Sequence, residues 1–174
     1  MLRRNILLMS GIVAATSVST LLAACGGSTE STKDIFEVAR SNADLSVLAD
    51  AIISANLVQT FQSNTSYTLF APNNAAFVAA LAELGMTKDE LFADKPLLTT
   101  ILTYHLLPGK INFADILLNT PLKTVQGATL IVDNVGGVLT ITDGRSRTSR
   151  IIQNNLDARN GVVHIVDKVL LPPL

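Results

Sequence analysis

Two histidines, His105 and His164, and one cysteine, Cys25, are the side chains here best suited to nucleophilic or metal chemistry. A zinc ion takes three or four ligands, so a site built on His105 and His164 would need carboxylate partners that no local spacing supplies. A serine hydrolase needs an exposed nucleophile beside a histidine, and the sequence contains no Gly-x-Ser-x-Gly turn. No glycine-rich loop opens a helix to hold a phosphate. The adjacent carboxylates Asp89 and Glu90 belong to Thr87-Lys88-Asp89-Glu90, the pattern of a capping box at a helix start. These residues therefore form no constellation that supports an enzyme, and they call for no metal and no cofactor.

The other chemical cluster is Gly144-Arg145-Ser146-Arg147-Thr148-Ser149-Arg150. Three guanidiniums in so short a run, between two strands, could hold the carboxylate or phosphate groups of a surface polysaccharide or lipid. The plainer reading is a solvated hairpin loop. Overall charge decides against a different partner: 13 Lys and Arg against 14 Asp and Glu give a net charge of −1, which excludes a basic nucleic-acid binder. Apolar residues at 48% with charged ones at 16% exclude a disordered chain. A single cysteine excludes an internal disulfide.

The N-terminus gives a cellular address. Arg3 and Arg4 are the last charges before Glu30, and Ile6-Leu7-Leu8-Met9, Gly11-Ile12-Val13-Ala14-Ala15 and Leu21-Leu22-Ala23-Ala24-Cys25 follow them. A basic start, an apolar run and small residues before a cut site describe an export signal. The competing reading, an uncleaved membrane span, is weakened by Ser10, Gly11, Thr16, Ser17, Ser19 and Thr20. Leu22-Ala23-Ala24-Cys25 resembles the lipobox of bacterial lipoproteins, which implies removal of residues 1–24 and lipidation of Cys25. Loss of Arg3 and Arg4 would leave 11 basic and 14 acidic side chains, a net charge of −3. Residues 25–32 then form the lipidated cysteine and a short Gly/Ser/Thr tether, whose root-mean-square reach of about 15 Å would keep residues 33–174 close to the membrane. Gly26, where an aspartate would retain the chain at an inner membrane, fits an outer-membrane address in a Gram-negative cell. The expected location is the envelope, on a periplasmic or extracellular face.

The elements that position these residues follow from periodicity. Asp44 is placed to cap a helix carrying Leu45, Leu48, Ile52 and Ala55 on one face. Tyr67–Ala71 reads as a strand stopped by Pro72. Asn73 or Asn74 caps a helix with Phe77, Ala80, Leu81 and Leu84 inward, and Asp94 starts another that buries Leu98, Ile101 and Leu102. Residues 112–115 add one short helical turn. From about Thr120 the period becomes two: 128–133 and 138–142 flank the hairpin signal Asn134-Val135-Gly136-Gly137, then 148–154 and 161–170 follow as strands. Helices early and strands late indicate an α+β fold with mostly antiparallel strands. His105 shares a helix face with Leu98, Ile101 and Leu102, and His164 shares a strand face with Val162 and Val166. Both therefore point inward and need hydrogen-bond partners, for which Tyr104, Asp167 and backbone groups are candidates.

Three motifs are specific enough to carry a resemblance. Thr68-Leu69-Phe70-Ala71-Pro72-Asn73-Asn74-Ala75-Ala76-Phe77 resembles the first signature of the fasciclin (FAS1) domain family. Asn160-Gly161-Val162-Val163-His164-Ile165-Val166-Asp167-Lys168-Val169-Leu170-Leu171-Pro172 resembles the second, and Tyr104-His105 stands where the family has its Tyr-His pair. Pro72, Asn73, Asn160, Gly161, His164 and Asp167 read as structural motif positions within these. The resemblance implies a wedge or sandwich of strands with helices around it, and cell-surface adhesion with a surface protein or anionic polysaccharide as partner. In animal members, binding has been assigned to the Tyr-His region, here Tyr104, His105, Leu106 and Leu107. A second assigned pair maps to Asn155 and Leu156, where the acidic residue is missing. A rival reading from another class is a small-ligand or solute-handling lipoprotein with an apolar groove lined by side chains between Leu97 and Leu118.

Overall fold

The computed structural model describes residues 31–174. Residues 1–30, on which the expected export leader, the lipidation at Cys25 and most of the expected tether fall, lie outside the described residues. Six helices come first or between the early strands: α1 (Ile35–Ser41), α2 (Ser46–Ser54), α3 (Val58–Phe61), α4 (Asn74–Leu84), α5 (Lys88–Ala93) and α6 (Lys95–Tyr104). Four of them, α1, α4, α5 and α6, start on a capping side chain. Asp34 and Glu37 form a reciprocal capping box on α1, Thr87 and Glu90 form one on α5, and Asp94 accepts from Leu97 N on α6. Asn73 caps α4 through Ala76 N at 2.8 Å.

Two of the sequence expectations shift here. Asp44 is not a cap but lies in a 3₁₀ turn, Ala43–Leu45, that Asn42 caps through Asp44 N. The first turn of α2 is served from a distance: Asn74 Oδ1 accepts from Val47 N at 3.0 Å while its Nδ2 donates to Ala43 O. The neighbouring asparagines thus divide the work, Asn73 capping its own helix and Asn74 docking α4 against α2.

Seven strands form one sheet: β1 (Tyr67–Pro72), β2 (Leu106–Pro108), β3 (Pro121–Lys123), β4 (Thr129–Val135), β5 (Val138–Thr142), β6 (Thr148–Ala158) and β7 (Gly161–Val166), in spatial order β2-β1-β7-β6-β5-β4-β3. Only β1 and β7 run parallel, with Phe70 opposite His164; every other neighbouring pair is antiparallel. The β4–β5 turn is Gly136-Gly137, both at positive φ, as a two-residue hairpin of this twist requires. The far ends of the sheet approach each other, for Val125 N donates to Leu106 O at 2.8 Å just beyond β3. The result is a wedge of strands with helices packed on one side.

This curvature makes two cores. Leu69, Ala71, Val163 and Ile165 pack against the helices with Ile35, Leu48, Ile52 and Leu98. The alternate residues Phe70 and Val166 turn the other way, into the wedge, with Tyr104, Leu130, Val132, Ile141 and Leu170. Strands β1 and β7 are therefore buried on both faces, which is why they read as continuous apolar runs. β6 is longer than the expected 148–154 because bulges near Gln153 let it bend and continue alongside β7. β7 is shorter than 161–170 because the chain leaves the sheet after Val166, and the N–H groups of Leu170 and Leu171 go to side chains instead.

Candidate functional site

The Tyr-His pair lies at the junction of the two cores. Tyr104, His105 and Leu106 are fully buried and Leu107 is 2% exposed. The binding role that the resemblance implies for these four is therefore not one of surface contact: in this fold none offers its side chain to a partner. His105 Nδ1 donates to Ile101 O at 2.7 Å, and Nε2 accepts from Leu170 N at 2.9 Å. The Leu170 N–H can only donate, which fixes the neutral tautomer. Burial pushes the ring down to about 4, against smaller opposing effects of Ile101 O and Asp143. The Tyr104 hydroxyl donates to Thr129 O at 2.9 Å and accepts from Gly144 N at 2.8 Å. Its burial raises the phenol to about 12.

Asp143 completes this junction, and the sequence reading missed it. Its side chain is 1% exposed. Burial alone would raise its pKa, but the N–H groups of Leu171, Arg147 and Arg145 and the Arg147 guanidinium hold it below the ordinary carboxylate range. Oδ2 accepts from Leu171 N at 3.0 Å and from Arg147 Nη2 at 2.8 Å; Oδ1 accepts from Arg145 N and Arg147 N, each at 2.9 Å. The Asp143-Gly144 pair was a legible turn signal. What it grips, the segment after β7, was not.

His164 is likewise enclosed. Its Nδ1 accepts from Asn155 N at 3.2 Å and Nε2 donates to Ile111 O at 3.1 Å. Burial lowers its pKa, and the Ile111 carbonyl partly opposes that. Both rings are thus satisfied by backbone groups, and neither has a free nitrogen for a metal or a proton relay. Tyr104 and Asp167, the other partners considered, bond elsewhere; Asp167 Oδ1 accepts from Arg150 N at 2.7 Å and Ser149 Oγ at 3.1 Å. Asn155 stands in a left-handed turn at φ 53°, and its Oδ1 accepts from Phe113 N, while Leu156 packs on the helix-side core. Among the described residues no three His, Cys, Asp or Glu converge as a metal would need.

Asn160 and Gly161 tie the last strand to the helices. Asn160 Oδ1 accepts from Ile35 N at 2.9 Å, and Nδ2 donates to Phe61 O and Ser63 O, each at 2.8 Å. A Cβ on Gly161 would sit 1.9 Å from Tyr67 O, so no other residue fits.

The three arginines do not make one patch. Arg147 is consumed internally: Nε and Nη2 donate to Asp143 Oδ2, Nη2 also to Val169 O, and Nη1 to Glu83 of α4. Arg145 Nε donates to Pro172 O at 3.2 Å. Both clamp the C-terminal segment. Arg150 alone is exposed, on the outer face of β6.

That face carries an open cleft of about 660 Å³ lined by Val135, Val138, Thr140, Thr148, Arg150, Asp167 and Lys168. A second hollow of about 410 Å³ adjoins it beside α4 and shares Thr148, Asp167 and Lys168. Of the apolar side chains between 97 and 118, Leu98, Ile101, Leu102, Leu106, Leu107 and Ile116 are core, Leu97, Ile111 and Phe113 are half-buried, and Leu117 and Leu118 are exposed.

With this geometry in view, the comparisons decide the family. The model of the fasciclin domain matches residues 43–172. The chain belongs to the fasciclin domain family. Protein sll1483 of Synechocystis is 36% identical over 151 residues, covering 84% of this chain and 77% of that protein. The cell surface glycolipoprotein MPB83 of Mycobacterium bovis is 34% identical, covering 78% of this chain and 59% of its own length. Among solved structures, a fasciclin-domain pair from the insect cell adhesion molecule fasciclin I aligns with a TM-score of 0.57 at 23% identity. It covers 73% of this chain and 45% of that one, and shows the shared fold. As in the expectation from the motifs, the fold is the α+β wedge of a fasciclin domain.

Proposed function

We propose that this fasciclin domain is a lipid-anchored binding module of the cell envelope, acting in adhesion or in attachment to matrix or surface polysaccharide. The observation that carries this reading is the pairing of a fasciclin domain with the Leu22-Ala23-Ala24-Cys25 motif, a pairing in keeping with its similarity to a protein described as a cell surface glycolipoprotein. The chemistry of the domain supports binding over catalysis. Both imidazoles are buried and bonded at both nitrogens, and the buried carboxylate Asp143 is spent on the C-terminal segment. The partner is a surface protein or an anionic polysaccharide, and no nucleic acid is involved. Cells carrying the full chain, compared with cells lacking it, test the reading by their attachment to immobilised matrix and envelope polysaccharide. Attachment that rises with the chain supports it, and equal attachment counts against it.

A further inference from the structure

Resting on the envelope-binding reading, we infer that the cleft over the outer face of β5 and β6 takes the carboxylate-bearing sugar units of an acidic polysaccharide. The sheet register builds this surface. Thr140 is opposite Arg150, Thr142 opposite Thr148, and Val135 opposite Val138, so one face presents cation, hydroxyls and a small apolar ledge together. Lys168 joins from the segment after β7, held in place because Lys168 N donates to Ser149 Oγ at 3.1 Å. Neither Arg150 nor Lys168 forms an ion pair among the described residues, whereas Arg147, Lys88, Lys110 and Arg159 do. Two uncommitted cations, Arg150 on β6 and Lys168 on the segment that follows β7, offer a carboxylate a fork and a point charge.

The lining also narrows the ligand. It contains no aromatic ring, so a neutral sugar has no stacking platform, and recognition falls to charge and hydrogen bonds. Asp167 stands beside the two cations with Oδ1 engaged by Arg150 N and Ser149 Oγ. Its negative charge favours a singly charged acid over a dianionic phosphate, and Oδ2 can accept from a sugar hydroxyl. Exposed Val135 and Val138 can meet the C–H face of a ring. The adjoining hollow beside Ala76, Ala79 and Ala80, small residues that leave room, extends the cleft beyond one sugar unit.

Calorimetric titration of the full chain in detergent with an oligogalacturonate, a neutral maltooligosaccharide and a phosphorylated mannooligosaccharide tests this. The expected result is binding of the oligogalacturonate alone, weakened at least tenfold in Arg150→Gln/Lys168→Gln and unchanged in Lys95→Gln, with equal melting temperatures showing intact folds. Oligogalacturonate binding that survives the double variant overturns the cleft but leaves the envelope reading standing. Preference for the phosphorylated sugar overturns the carboxylate assignment. No binding to any of the three, together with capture of a surface protein by the same chain, overturns the inference and preserves the envelope reading; absence of both overturns the two together.

Discussion

The imidazole of His105 and the backbone N–H of Leu170 meet at 2.9 Å across 65 residues of sequence, joining the end of α6 to the segment beyond β7. A neutral ring is part of that join, because protonated Nε2 would become a donor facing another donor.

Acid should therefore loosen the domain in two stages. The His105 pKa is depressed from 6.5 to about 4, so its stabilisation is complete above 6.5 and is lost as pH falls between those values. The loss is on the order of 3 kcal/mol, and His164, also depressed, adds in the same direction. Asp143, lowered from 3.8, adds its share only as pH falls further. Urea unfolding midpoints measured from pH 7.5 to 4 should fall monotonically, with the larger part of the drop below pH 6.5. A flat profile would show that His105 is not neutral in the folded state.

Asp143 and Arg147 should behave as structural residues. Asp143→Ala takes one of two carboxylate partners from a guanidinium that is only 19% exposed and frees the N–H groups of Leu171, Arg145 and Arg147, at a cost of about 3–5 kcal/mol. Arg150→Gln, on the exposed face, should change stability by less than about 0.5 kcal/mol. Chemical denaturation separates the two, and hydrogen exchange at Leu171 N should quicken in Asp143→Ala alone.

At the other end of the wedge, Asn160→Ala removes three hydrogen bonds, two of them buried, and leaves Ile35 N and two carbonyls wanting partners. The expected cost is about 2–4 kcal/mol by thermal denaturation. Gly161→Ala, with its Cβ overlapping Tyr67 O, should yield no soluble folded protein.

Cys25→Ser should abolish incorporation of labelled fatty acid and, because the lipobox cut needs this cysteine, leave residues 1–24 on the chain, seen as a larger mass than that of the unsubstituted protein without its lipid. Unchanged fatty-acid labelling, or an unsubstituted protein that carries residues 1–24 and no lipid, would contradict a lipid anchor at Cys25.

Much of this was legible locally. The Thr87–Glu90 capping box, the Gly136-Gly137 turn and the change of period at about Thr120 depend on neighbours within a few residues, and the structure has them where the sequence puts them. The inward aim of both histidines followed from strand and helix faces. Partners distant in sequence were not legible. Nothing local says that Arg147 spends its charge on Asp143 and Glu83, so Arg145, Arg147 and Arg150 looked like one patch when they are two clamps and one exposed cation. Asn74 looked like an alternative to Asn73 because its target, Val47 N, belongs to another helix. The extent of β7 was overread because Val169-Leu170-Leu171 is as apolar as a strand, while its N–H groups are satisfied by His105 and Asp143.

The central claim is that this domain holds a component of the cell surface. It is tested most directly by passing cell-envelope and matrix extracts over the immobilised full chain. Saturable retention of a surface protein or acidic polysaccharide, competed by soluble chain, is the predicted result. An extract that passes through with nothing retained above a blank support would contradict it.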